Sequence, residues 1–119
     1  DWPMMQTAAR MGGPVMMAYA LDSTLEPSRG LLERAFEAAG KPLDLTLLAV
    51  TDLWPLFDTE PKDAFGRAIA TRIDAALENL DVSCVVLAQA SMASAAGFVQ
   101  TDTPVLASPG LALEALLPG

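Results

Sequence analysis

Three short polar segments carry the residue types best suited to chemistry: Asp22-Ser23-Thr24, Gln89-Ala90-Ser91 and Ala107-Ser108. Each follows an apolar run of strand length, and each leads into a helical pattern. Hydroxyls and free backbone N–H groups at helix starts form a cradle for an anion, and a small carboxylate fits such a cradle. Thr24, Ser91 and Ser108 would be the side-chain donors, with Ser23, Gln89 and Ala90 beside them. The same groups also cap helices, so the pattern by itself allows either role.

Other chemistries lack their residues. The chain has no His, which removes Ser-His-Asp and Cys-His catalysis and the usual zinc sites unless another chain supplies the imidazole. Cys84 is the only cysteine, so no disulfide forms within the chain. It lies inside the apolar run Val82–Leu87 and reads as an inert core thiol. Asp52, Asp58, Glu60 and Asp63 crowd the start of a long helix, where acids complement the helix dipole without making a metal site. Gly12-Gly13 precedes a strand and lacks the third glycine of a dinucleotide fingerprint. A net charge of −8 argues against nucleic acid as a partner. No apolar run approaches a membrane span, and Asp1-Trp2-Pro3 shows no signal-peptide pattern, so a cytoplasmic location is expected. The absence of an initiator Met reads as a fragment.

The elements that must hold these segments alternate in type. A helix is expected over Pro3–Met11, with Met4, Met5, Ala8 and Met11 on one stripe, ended by Gly12-Gly13-Pro14. Strands are expected at Val15–Leu21, Leu43–Val50, Val82–Ala88 and Pro104–Ala107. A second helix opens at Glu26-Pro27-Ser28 and stops at Gly40. A long one runs from about Glu60 to Leu80, with Phe65, Ile69, Ile73, Ala76 and Leu80 inward. A short one follows Ser91, and Ser108-Pro109 caps a last one reaching Leu117. Alternating strands and helices require crossovers, which gives a single α/β domain over 1–119. Its expected form is a three-layer sandwich around a mostly parallel four-stranded sheet, flavodoxin-like in plan. At 52% hydrophobic the chain is rich for a small domain, from Ala on helices or from a face that something else covers.

Thr24-Leu25-Glu26-Pro27 and Leu87-Ala88-Gln89-Ala90-Ser91-Met92-Ala93, with Ser23, Ser28, Gly40, Asp81–Ala96 and Pro104–Pro109, resemble the aspartate/glutamate/hydantoin racemase superfamily. Maleate isomerase and arylmalonate decarboxylase are among its relatives. The resemblance covers nearly the whole chain and implies the second of two similar α/β lobes. The first helix resembles the segment joining the lobes, and the first lobe lies outside the chain. It implies cofactor-independent racemase, isomerase or decarboxylase chemistry on a small carboxylate or amino acid held between lobes. One Cys from each lobe would flank the substrate α-carbon. In this chain the second Cys falls on Gln89, which cannot act as a general base. A Thr that often follows the first strand in the family falls near Ala20. The expectation is therefore a carboxylate-binding lobe, silent alone, without a cofactor, and partnered by the missing lobe or by another copy. The alternatives are a non-catalytic carboxylate-binding or regulatory protein of the same fold, and a dimerisation module.

Overall fold

The computed structural model describes residues 2–108. Strands β1 (Pro14–Tyr19), β2 (Asp44–Ala49), β3 (Cys84–Leu87) and β4 (Val105–Leu106) form one sheet in the order β2-β1-β3-β4. All neighbours are parallel, with Val15 level with both Leu45 and Cys84. Helix α1 spans Trp2–Met11, α2 spans Asp22–Ala39 and α3 spans Ala64–Leu77. Two 3-10 segments, Thr51–Leu56 and Ala90–Gly97, complete the elements of the described residues. The architecture is the three-layer, flavodoxin-like α/β sandwich that the alternation implies. The last expected helix, 108–117, begins at Ser108 and otherwise lies outside the described residues.

Strand order dictates which face each connection covers. The step from β1 to β2 runs one way along the sheet, and the steps to β3 and β4 run the other. Right-handed crossovers therefore place their connections on opposite faces. One face carries α1 and α2 over Val15, Met17, Cys84 and Val86. The other carries α3 and the segment 90–97 over Met16, Ala18, Val85 and Leu87. Because β1 and β3 are covered on both sides, they read as unbroken apolar runs.

Several bounds differ from the sequence expectation. Helix α2 starts at Asp22, so Ser23 and Thr24 sit in its first turn and Pro27 lies inside it. In α1, Met4, Met5, Ala8 and Ala9 are buried, while Met11 at the helix end is 42% exposed. Helix α3 is shorter than Glu60–Leu80, although Phe65, Ile69 and Ile73 are buried as the stripe requires and Ala76 and Leu80 pack at its margin. Gly40 ends α2 in the left-handed region at φ 70°, with Gly40 N–H donating to Glu37 O and Lys41 N–H to Phe36 O. Among the described residues no helix is long and apolar enough to cross a membrane.

Two glycines test this packing. Gly66 of α3 faces the 90–97 segment. A Cβ there would fall inside contact distance of Ser94 Oγ and lie 3.2 Å from Ser94 Cβ and 3.3 Å from Phe98. Gly30 of α2 has nothing nearer than an Arg34 nitrogen at 3.8 Å. In urea unfolding, Gly30→Ala is expected to stabilise by about 0.5–1 kcal/mol through helix propensity. Gly66→Ala is expected to destabilise by about 1–3 kcal/mol through overpacking. Equal effects at both sites would contradict the close approach.

Cys84 opens β3 with no exposure, and burial pushes its thiol up to about 11. The folded thiol keeps its proton at a pH where the unfolded thiol, at its ordinary value near 9.0, has lost it. The native state then binds more protons, so stability falls as pH rises between those two values. Unfolding free energies measured across that window should decline more steeply in the wild type than in Cys84→Ala.

Candidate functional site

Parallel pairing brings the carboxyl ends of β1 and β3 side by side, with Ala88 N–H donating to Ala18 O at 2.9 Å. Beyond them the chain turns into α2 and into the 90–97 segment. Gln89 is extended (φ −129°, ψ 142°), and its side chain crosses to the β1 loop. Its Oε1 accepts the N–H of Ala20 at 2.8 Å and that of Leu21 at 2.9 Å. The Thr24 hydroxyl lies 3.2 Å from the same oxygen and 2.8 Å from Leu21 O, and its single hydrogen serves that pair of acceptors. Gln89 Nε2 donates to Ser91 Oγ at 3.3 Å. Below this layer the buried Ser28 hydroxyl donates to Ala88 O at 3.2 Å.

The structure thus joins Thr24, Gln89 and Ser91 in one hydrogen-bonded group. Ser23 and Ala90 are exposed beside it, each in the first turn of its segment. Ser108 is buried two residues past β4, at the same edge of the sheet. The first N–H groups of α2, on Asp22 and Ser23, have no acceptor within their own helix. They point toward the same edge, where the positive end of the helix dipole favours an anion.

A cleft of about 230 Å³ adjoins Ser91, lined by Phe57, Asp58, Lys62, Phe65 and Ser94. Its aromatic wall is braced from behind. Trp54 stacks on Phe57 with centroids 4.8 Å apart, and Phe65 meets both rings edge-on at 5.7 and 5.4 Å. Asp58, at φ 63°, makes the turn that brings Phe57 over the cleft.

Cys84 pairs in register with Val15, at the end of the strands remote from Gln89. With its thiol held protonated by burial, it is no nucleophile for this site. Two of the four clustered carboxylates, Asp52 and Asp63, are taken up in ion pairs. Asp52 takes a two-pronged contact from Arg72, and that guanidinium holds its carboxyl below the usual range. Arg67, through its Nε alone, likewise holds the Asp63 carboxyl low, and it also lies over the Phe98 ring at 4.4 Å. Among the described residues no group of three or more His, Cys, Asp or Glu gathers as a metal site would require.

The sequence reading missed the backbone donors of Ala20 and Leu21, because peptide N–H groups carry no residue signature. It also missed the Phe57–Lys62 wall of the cleft, because the 3-10 segment through Pro55 and the irregular turn at Pro61 leave no periodic pattern to follow. Compared with family models, curated proteins and solved structures, the chain matches none, so the chemistry of the site rests on its own geometry.

Proposed function

We propose that this chain is the carboxylate-gripping lobe of a cofactor-independent racemase-, isomerase- or decarboxylase-type protein, with no general base of its own. One observation carries the reading. The N–H groups of Ala20 and Leu21, with the Thr24 hydroxyl at hand, converge on a single sp² oxygen, Gln89 Oε1. That is the arrangement a carboxylate oxygen or an enolate oxygen requires. The amide oxygen is an uncharged stand-in for it. An anion on the same donors gains charge-assisted hydrogen bonds, about twice as strong as neutral ones. The resemblance to the racemase superfamily supports the reading, since it puts the substrate carboxylate at these loops. The adjoining cleft beside Ser91 leaves room for the rest of a small acid.

Gln89 supports the non-catalytic reading as well. It stands where the second base of the family would stand, and its amide has no proton-accepting nitrogen at neutral pH. Position 89 therefore supplies no base, and deprotonating a carbon acid there calls for another group, such as a thiolate of a first lobe.

Titration of the labelled chain with acetate and succinate, followed by amide NMR, tests this. Shifts are expected at Ala20, Leu21 and Thr24. In Gln89→Ala the donors are vacated, so affinity for both acids should rise about tenfold, the equivalent of one displaced hydrogen bond of 1.4 kcal/mol. The same variant should lose about 2–6 kcal/mol of stability, from two peptide N–H groups that each lose their acceptor. Shifts confined to other residues, or equal binding of acetamide and acetate, would refute carboxylate recognition. Exchange of a substrate α-proton into D₂O by this chain alone would refute the lack of a base.

A further inference from the structure

The two ends of the sheet are built differently. At one end β4 is two residues long, close behind Pro104, a short edge of the kind that discourages pairing. At the other end β2 has six residues, Asp44-Leu45-Thr46-Leu47-Leu48-Ala49. It carries no Pro, Gly or Lys, and its one charge is at its first position. Leu47, at its middle, is 38% exposed. Natural sheets rarely leave such an edge unguarded.

Hydrogen-bond parity identifies the outward groups. Val50 N–H donates to Tyr19 O, so Thr46 and Leu48 also face β1. Leu45, Leu47 and Ala49 then direct their N–H and C=O groups away from it. In antiparallel pairing, outward-facing residues must meet outward-facing residues. A half-turn centred on Leu47 satisfies that condition along the strand: Leu47 meets the partner's Leu47, and Leu45 meets the partner's Ala49.

The helix above the edge fits the same axis. A groove of about 480 Å³ runs between α2 and β2, with Phe36, Leu43 and Leu45 as its apolar floor. Arg29, Glu33 and Glu37 line it at four-residue spacing. Leu47 stands about 10 Å beyond Asp44 along the strand. That is about seven helical residues back from Ala39, the level of Leu32 and Glu33. A half-turn there reverses the stripe, bringing Arg29 to the partner's Glu37 and Glu37 to the partner's Arg29. Among the described residues Glu37 has no cation within 4 Å, while Arg29 holds Glu33 loosely at 3.6 Å.

We propose that β2 is the interface of a two-fold homodimer, joined strand to strand at Leu47 into one continuous sheet and locked by reciprocal Arg29–Glu37 pairs. The second copy is favoured over other strands because this edge, its apolar residue and the Arg29 and Glu37 ends of its charge stripe complement themselves about one axis, while each Glu33, near the axis, keeps Arg29 of its own helix at 3.6 Å.

Sedimentation velocity of the full chain over a concentration series should show a reversible dimer. Exchange protection of the Leu45, Leu47 and Ala49 amides should rise with concentration. Leu47→Lys is expected to abolish the dimer with an unchanged circular dichroism spectrum. Arg29→Glu should weaken it about tenfold, from two exposed pairs turned repulsive, and Arg29→Glu with Glu37→Arg should restore it. A wild type that stays monomeric at about 1 mM, or a dimer indifferent to Leu47→Lys, would overturn the proposal. So would a monomer in which the three amides are already protected, because another segment of the same chain would then occupy the edge.

Discussion

Gln89 Oε1 accepts the N–H groups of Ala20 and Leu21 across the gap between the two central strands. The carboxyl edge of the domain is organised around that contact. Both N–H groups leave β1 where the ladder to β3 has ended, so no strand partner remains for them. They are only partly accessible to water, and each would cost about 1–3 kcal/mol without an acceptor. The amide resolves this from the neighbouring strand and fixes Leu21 in the extended conformation (φ −131°, ψ 130°) that launches α2. Through Nε2 it also sets Ser91, and through Ser91 the near wall of the cleft. Ser28, in the second turn of α2, bonds Ala88 O and ties the same two segments a second time.

The same contact explains the difference between expected and observed bounds at α2. Pro27 has no N–H and suits a first helical turn, so from local rules the helix opens at Glu26. It opens at Asp22 because Leu21 is held by a residue 68 positions away. No local pattern carries that information. Where structure depends on neighbours in sequence, the reading is close. The apolar runs give four strands, the Phe65–Ile69–Ile73 stripe gives α3, and Gly40 gives the stop of α2. Met11 fails for a related reason. Its position continues the helical stripe, but Gly12 and Gly13 turn the chain at once into β1, and nothing is left to cover it.

At the site, the side-chain types were legible and their partners were not. Thr24 and Ser91 appear as hydroxyls at helix starts, and both contribute to the cluster. The acceptor role of Gln89 depends on its length: two methylenes carry the amide from the end of β3 to the end of β1, which Asn, one methylene shorter, could not match.

The high apolar content has a spatial answer. The described core is saturated: β1 and β3 are covered on both faces and need unbroken apolar sequence. The large apolar residues left exposed fall into separate places with separate causes. Trp2 and Met11 end α1, where helical packing runs out. Leu56 and Phe57 belong to the turn over the cleft, where Trp54 and Phe65 hold Phe57 rigid at little entropic cost. Leu47 belongs to neither group. It sits mid-strand on a regular edge, with a charged stripe above it that its own chain satisfies only in part. An apolar residue in solvent needs no explanation singly. One at the centre of an open, unguarded strand differs, because burying it and pairing the backbone beside it are accomplished by the same event.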